Sequence, residues 1–167
     1  LPEVDTQIDI KVTAYIPSSY IENVNQKIEV YQDIANITDE SQISEIIDEL
    51  IDRYGDVPKE VFNLTEVAKI KLLARKLHIV KIMQNESNVV ITFNDSEKIA
   101  SGAIQVLADI YKSRVLFSAG VSPYITLKLQ SKKDSDILGE VTGTLEALLN
   151  VSNKRKDEWW KMEKNKM

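Results

Sequence analysis

The amino-acid sequence predicts an α+β domain with a mainly antiparallel sheet. In the first half, apolar residues recur at intervals of three and four, which is the spacing of amphipathic helices. The second half contains two pairs of short segments in which apolar and polar residues alternate, and a brief polar turn joins the two segments of each pair. A stretch with helical spacing follows each pair. Because hairpins pair their strands antiparallel, the predicted order is an N-terminal strand, a three-helix segment, and two β-hairpins each followed by a helix.

The N-terminal strand and the first helix are separated by Pro17. Residues 4–14 alternate between apolar and polar side chains, which predicts a half-buried strand. Ser19 and Glu22 have the spacing of a capping box, so we expect the first helix to begin there. Its apolar face is predicted from the intervals of three and four to contain Ile21, Val24, Ile28, Tyr31 and Ala35.

The second and third helices meet at a short turn. The second is predicted to open near Thr38 or Asp39 and to close on Gly55, because glycine accepts the left-handed conformation that often ends a helix. Pro58 suits the first turn of the third helix, which continues to about Leu77. The second helix is predicted to bury Ile43, Ile46, Ile47, Leu50, Ile51 and Tyr54, and to expose Glu45, Glu49, Asp52 and Arg53.

The second half contains the two hairpins. The first is expected over residues 80–93 and the second over residues 115–129. The predicted helix caps are Asp95 or Ser96 for the helix between the hairpins, and Asp134 or Ser135 for the last helix.

Composition indicates a globular domain. The 167 residues are 43% apolar, without a run approaching the roughly 20 apolar residues of a membrane span and without a signal-peptide pattern. The absence of cysteine fits a reducing cytoplasm, which is the expected location. The chain starts at Leu1, and we expect it to be part of a longer polypeptide.

The sequence contains no recognisable catalytic set. A single histidine, His78, cannot supply a metal-binding pair, and it stands where a glycine commonly ends a helix, so we interpret it as a helix-ending residue. The phosphate-binding motifs GxGxxG and GxxxxGK[ST] do not occur. Adjacent carboxylates such as Asp48 and Glu49 point roughly 100° apart on a helix and cannot act on one substrate together. We therefore predict no catalytic, cofactor-binding or metal-binding residue in this chain.

Charge is distributed unevenly, which indicates either a binding surface or an acidic face that only keeps the domain soluble. Residues 1–60 hold 14 acidic and 4 basic residues, whereas residues 61–167 hold 12 and 17. The acidic part disfavours nucleic acid and suits a basic protein surface. Residues 153–167 are the exception, because six basic residues and two tryptophans there have the composition of a nucleic-acid-binding or membrane-surface segment. The alternative to a nucleic-acid site at Lys154, Arg155, Lys156, Trp159 and Trp160 is a solvated helical extension whose tryptophans pack on the domain.

Three segments together resemble the C-terminal domain of the bacterial transcription-repair coupling factor (Mfd) family. They are residues 15–27, residues 49–58 and residues 68–79, in the order and spacing of that family. The chain departs from the family pattern in having Lys27 for arginine, Tyr54 for phenylalanine and His78 for glycine. The second half carries no sharp motif of the family.

The resemblance implies a regulatory role without catalysis in this fragment. The whole protein would be an ATP-dependent DNA translocase that removes stalled RNA polymerase and recruits the nucleotide excision repair protein UvrA, with ATP and magnesium bound by other domains. This domain would pack on a UvrB-like N-terminal module and mask its UvrA-binding surface, without a membrane partner. Family resemblance assigns Glu49, Asp52 and Arg53 to that interface, and Glu45 extends the same helical face.

The expected domain organisation follows from these observations. Residues 15–152 form the regulatory domain, with a helical half over residues 15–78 and a sheet half over residues 79–152. Residues 1–14 are a strand that folds with this domain or links it to a preceding translocase lobe. Residues 153–167 are a separate basic and aromatic tail.

Overall fold

A computed structural model describes residues 5–95 and 99–166 of the chain. Within these residues it contains five helices and five strands in the predicted order, and the α+β prediction is confirmed. The strands are β1 (Gln7–Asp9), β2 (Ile79–Asn85), β3 (Asn88–Phe93), β4 (Val115–Ser118) and β5 (Tyr124–Lys128). The helices are α1 (Val24–Ala35), α2 (Ser41–Tyr54), α3 (Lys59–Lys76), α4 (Ala103–Tyr111) and α5 (Asp134–Asn165).

The described strands form one sheet in the order β1-β2-β3-β5-β4. Only β1 runs parallel to its neighbour, and the other pairs are antiparallel, as predicted. The second hairpin joins the first through β5, so β4 is an edge strand. Ile82, Ile91 and Ile125 align across β2, β3 and β5 and belong to the core between the sheet and the helices. Phe117, the partner of Ile125 on edge strand β4, is 42% exposed.

Two hydrophobic cores meet along α3. Ile70, Leu73 and Ala74 of α3 belong to the core between the sheet and helices α4 and α5. Val61 and Leu72 belong to a second core with α1, α2 and the preceding segment. Because residues on different sides of α3 are buried in different cores, the helix joins the helical half to the sheet half.

The predicted strand over residues 4–14 is shorter in the structure. Burial alternates as predicted from Thr6 to Ala14, but pairing with β2 stops at Asp9. Beyond that point the backbone N–H groups take other partners: Lys11 donates to the Gln84 side chain and Thr13 to the Asp134 carboxylate. Alternation therefore predicted which side chains are half-buried, whereas strand pairing ends where the backbone N–H groups bond side-chain acceptors.

Helix α1 begins later than predicted and buries a different face. The N–H groups of Tyr20 and Ile21 close a turn on Pro17, and Asn23 is the true cap, accepting from the Gln26 N–H at 3.0 Å. The buried residues are Val30 and Ile34. Of the predicted apolar face, only Ile21 is buried; the exposed members are Val24, Ile28, Tyr31 and Ala35.

The predicted caps of three other helices are also corrected. Helix α2 begins at Ser41. Helix α4 begins at Ala103, after Gly102 with φ +85°, so Asp95 does not cap it. The other predicted cap of α4, Ser96, lies outside the described residues. Lys133 occupies the N-cap position of α5 without a side-chain hydrogen bond, and the predicted caps Asp134 and Ser135 lie inside the first turn, where the Asp134 carboxylate accepts from Thr13 N. Helix α5 continues without a break through residue 153 to Asn165, so the basic segment is helical.

Candidate protein interface

Helix α2 is held at its first turn by side chains around Ser41. The Gln42 side-chain oxygen accepts from the backbone N–H groups of Thr38 and Asp39, at 2.7 and 3.2 Å. Asp39 accepts from Ser41 N at 2.9 Å. Hydrogen bonds from the Ser41 backbone and side chain, together with the charge of Lys76, hold the pKa of Asp39 below its ordinary value.

The far end of α2 is fixed by Gly55 and Tyr20. Gly55 has φ +86° and ψ −163°, and its N–H closes the helix on the Ile51 carbonyl at 3.0 Å. The Tyr20 hydroxyl lies 2.9 Å from the Gly55 carbonyl and 3.2 Å from the Leu50 carbonyl, so it donates to this helix end. Burial, reinforced by the charge of Asp56 and by Tyr54, raises the pKa of Tyr20.

The predicted interface residues lie on the surface of α2, and we call Glu45, Glu49, Asp52 and Arg53 the α2 strip. Arg53 pairs with Glu49 at 3.5 Å, and their side chains are 43% and 60% exposed. The Arg53 guanidinium also lies 5.1 Å from the centre of the Tyr54 ring, which is itself 5.8 Å from the Tyr20 ring. Glu45 and Asp52 are exposed and form no ion pair with any described residue. The strip therefore has three carboxylates, one guanidinium and an aromatic support.

The structure adds Asp33 to this surface. A gap of about 10 Å³ between α1 and α2 is lined by Asp33, Glu49 and Arg53 over an apolar floor. That volume is close to the roughly 10–15 Å³ that one water needs, so the gap is too small for a larger ligand. Glu49 and Arg53 thus border the contact with α1 instead of lying opposite the buried face.

Ile51 of α2 is also more exposed than the sequence predicts. It was predicted on the apolar face of α2, but it is 44% exposed, whereas Ile43 and Leu50 are buried. The sequence does not predict this exposure, because burial at the edge of the apolar face of a helix depends on how the neighbouring helix packs across that face. The candidate surface therefore includes an exposed aliphatic side chain next to its charges.

The remaining sequence candidates lie elsewhere in the fold. His78 is exposed with φ +58° and follows Leu77, the C-cap of α3, which confirms its helix-ending role. The exposed last stretch of α5 carries Lys154, Arg155, Lys156, Trp159 and Trp160. All of these except Lys154 line a cleft of about 690 Å³. Among the described residues, no three His, Cys, Asp or Glu side chains come together in a way that could hold a metal ion. None of the described helices combines the length and the apolar character needed to cross a bilayer.

The fold and the α2 strip define a small α+β domain whose candidate site is a charged surface. Comparison with known proteins identifies the family. The model of the TRCF domain matches residues 10–104, more than half of the chain. The chain therefore belongs to the transcription-repair-coupling factor (TRCF) domain family, which confirms the resemblance found in the sequence.

Relatives and a solved structure agree with this assignment. The transcription-repair-coupling factor of Bacillus subtilis (strain 168) is 31% identical over 152 residues, covering 89% of this chain and 13% of that protein. The one from Escherichia coli (strain K12) is 31% identical over 99 residues, covering 59% of this chain and 9% of that protein. A crystal structure of the C-terminal domain of transcription-repair coupling factor has a TM-score of 0.81 at 23% identity, covering 90% of this chain and 95% of that chain. The chain thus has the C-terminal domain fold and spans about an eighth of the B. subtilis relative's length.

Proposed function

We propose that this domain is a non-catalytic, autoinhibitory module of a longer cytoplasmic transcription-repair coupling factor. In this proposal the α2 strip packs on a UvrB-like N-terminal module of the same protein and masks the surface that binds UvrA. The full-length protein would be an ATP-dependent DNA translocase that removes stalled RNA polymerase and recruits nucleotide excision repair.

The observation that carries the proposal is the exposure of the α2 strip. Its four side chains take no part in either hydrophobic core, and its only internal ion pair is the 3.5 Å contact between Glu49 and Arg53, among the residues described. Three carboxylates against one guanidinium give the strip a net charge of −2, to which Asp33 adds another negative charge. A surface of this kind suits a partner with complementary basic residues.

Energetics favour a latch that opens readily. Exposed ion pairs contribute only about 0.2–1 kcal/mol each, so a few of them cannot hold two separate proteins together tightly. Within one polypeptide, however, a linker raises the local concentration of the partner to the order of mM. The contact should therefore be weak between separate fragments and effective within the intact chain, which is what a releasable inhibitor requires.

Charge reversal in the full-length protein tests this function. Glu49→Lys with Asp52→Lys should increase UvrA binding, because both substitutions oppose the proposed partner while the exposed positions leave the domain folded. Asp109→Lys with Glu158→Lys is the matched control, since both positions are exposed, lie outside α2 and change the charge equally. Unchanged UvrA binding in the α2 variant, with thermal unfolding of the domain unaltered, would show that this strip does not mask the site.

A second measurement tests the partner directly. The isolated chain should bind the UvrB-like module weakly, and UvrA should compete with it. Simultaneous binding of UvrA and this chain to the module would contradict masking.

A further inference from the structure

A cleft of about 690 Å³ lies between the end of α3 and the last stretch of α5, and we call it the tail cleft. Lys76, Leu77 and His78 form one wall with Ala100. The other wall is helical and consists of Ser152, Arg155, Lys156, Asp157, Trp159 and Trp160. The volume falls within the roughly 300–1,000 Å³ typical of ligand-binding clefts.

The α5 wall presents one helical face to the cleft. The lining residues of this wall recur at intervals of three and four, so their side chains lie on the same side of the helix. They are Ser152, Arg155, Lys156, Trp159 and Trp160. Because α5 is continuous to Asn165, these residues are held on a regular element opposite α3. The cleft thus combines two cations and two indoles from one helix with Lys76 and His78 from another part of the chain.

The cations of the tail cleft are available to a ligand. Arg155 and Lys156 are exposed and form no ion pair or side-chain hydrogen bond with any described residue. The carbonyl oxygens at the end of α3 would repel an anion, but several of them already accept backbone hydrogen bonds. The N–H of Leu77 bonds the carbonyls of Leu73 and Ala74, and the N–H of His78 bonds that of Arg75. Among the described lining residues, the cations Lys76, Arg155 and Lys156 outnumber the one carboxylate, Asp157.

The two tryptophans supply flat apolar surfaces. Their ring centroids are 6.3 Å apart with an interplanar angle of 26°, and each side chain is 60% exposed. Exposed indoles beside arginine and lysine bind nucleobases by stacking, while the cations bind the phosphates. A duplex keeps its bases stacked inside and offers only phosphates to such a cleft, whereas a single strand can offer both bases and phosphates.

We propose that the tail cleft binds single-stranded nucleic acid. Bases stack on Trp159 and Trp160, and Arg155, Lys156 and Lys76 contact the backbone phosphates. An acidic polypeptide would satisfy the cations but not the indole faces, whereas a nucleic acid would satisfy both. This site is distinct from the α2 strip, and either proposal can fail without the other.

Intrinsic fluorescence reports on this site alone, because Trp159 and Trp160 are the chain's only tryptophans. Titration with a thymidine homopolymer of about 15 nucleotides, within the usual range of single-strand binding sites, should quench their emission. Three phosphate contacts at a slope of about −0.7 each predict an affinity about 20-fold weaker at ~200 mM than at ~50 mM monovalent salt. A uridine homopolymer of equal length tests whether the site distinguishes DNA from RNA.

Paired variants separate the site from general charge. Arg155→Ala with Lys156→Ala should weaken binding, measured by anisotropy of a labelled strand, and should flatten the salt dependence. Lys161→Ala with Lys164→Ala removes the same charge from the same helix but outside the cleft, and should have little effect. Trp159→Ala should weaken binding by roughly 5- to 150-fold, the range for losing one stacked base.

Three outcomes would overturn the proposal. The first is the absence of quenching and of binding at low salt. The second is that the double substitution at residues 155 and 156 weakens binding no more than the one at residues 161 and 164, which would indicate a nonspecific effect of charge. The third is equal affinity for a duplex or for polyglutamate of matched charge, which would indicate an anion site without stacking. Tight single-strand binding that depends on Arg155, Lys156 and Trp159 supports it.

Discussion

The Tyr20 hydroxyl lies 2.9 Å from the carbonyl oxygen of Gly55 and donates a hydrogen bond to it. The two residues are 35 positions apart, so the bond ties the turn before α1 to the residue that ends α2. Tyr54, next to Gly55, packs on the Tyr20 ring and lies under the Arg53 guanidinium. One tyrosine therefore positions the end of the helix that carries the α2 strip.

Removing this hydroxyl tests its contribution. Tyr20→Phe should lower the free energy of unfolding by about 0.5–1.5 kcal/mol, the usual net value of one hydrogen bond. Urea unfolding followed by circular dichroism measures it. Tyr15→Phe is the control, because Tyr15 is 48% exposed and its hydroxyl has no hydrogen-bond partner among the described residues. An equal loss in both variants would contradict a specific role for Tyr20.

Tyr20→Phe should also change how the free energy of unfolding depends on pH in the alkaline range. Since folding raises the pKa of Tyr20 above its ordinary value of 10.0, the folded state holds this proton more tightly than the unfolded state. Its contribution is complete below pH 10.0 and is lost as pH rises through the raised pKa. The stability difference between wild type and Tyr20→Phe should therefore shrink at high pH.

Gly55 should resist substitution because of its backbone alone. Its combination of φ +86° and ψ −163° is almost restricted to glycine, although an added Cβ would meet nothing within 4 Å. Gly55→Ala should therefore cost about 1–3 kcal/mol. Gly139→Ala is the matched comparison, because Gly139 lies inside α5 with equally open surroundings, and there alanine should stabilise by about 1 kcal/mol. Thermal unfolding should shift in opposite directions; a downward shift in both would contradict this account.

The sequence predicted the order of elements well because each depends on local periodicity. Gly55, Pro58 and His78 marked the ends of α2 and α3 through backbone preferences that act within one or two residues. The start of α1 was mispredicted because Ser19 and Asn23 are both acceptable caps. Its buried face was mispredicted because that face depends on which neighbours the helix packs against. The residues of α1 that pack in this way are Val30 and Ile34.

The candidate surfaces were predictable only in part, for the same reason. The α2 strip could be read from a single helix, because its members share one face by spacing. Asp33 could not, since it depends on how α1 packs beside α2. The tail cleft could not either, because Lys76 and His78 are about 80 positions from Arg155 and are brought to it only by the packing of α3 against α5.

His78 should be replaceable by glycine with a gain in stability. His78 has φ +58°, and holding an L-residue in this left-handed region costs about 1–2 kcal/mol, which glycine would avoid. Ordering the more flexible glycine on folding costs about 0.5–1 kcal/mol, so part of this gain is lost. His78→Gly should thus raise the melting temperature by about 1–4 °C for a domain of this size. His78→Val should lower it, because a branched side chain fits this conformation poorly. Lys76→Gly, placed inside the last turn of α3, should also lower it, so a gain there would show that the effect at residue 78 is not conformational.

Lys69 should link the two halves of the fold in a pH-dependent way. Its ammonium lies 3.2 Å from Glu146 of α5 and 3.6 Å from Glu40 before α2, and the side chain is 25% exposed. Burial by itself lowers the pKa of Lys69, but the hydrogen bond to Glu146 and the charges of Glu146, Glu40 and Glu66 together raise it above 10.5. A raised folded pKa means that the contribution is complete below pH 10.5 and is lost as pH rises through the folded value.

Lys69→Met keeps the aliphatic stem and removes the charge. It should cost about 1 kcal/mol near neutral pH, the upper end for ion pairs whose partners are half exposed. The urea midpoints of wild type and variant should stay separated up to pH 10.5 and should converge only above it, as the wild-type ammonium deprotonates. Lys71→Met is the control on the same helix, and it should cost less because its partner Asp5 is 86% exposed. A wild-type advantage that persists unchanged at the alkaline end would show that Lys69 stabilises the fold by packing and not by its charge.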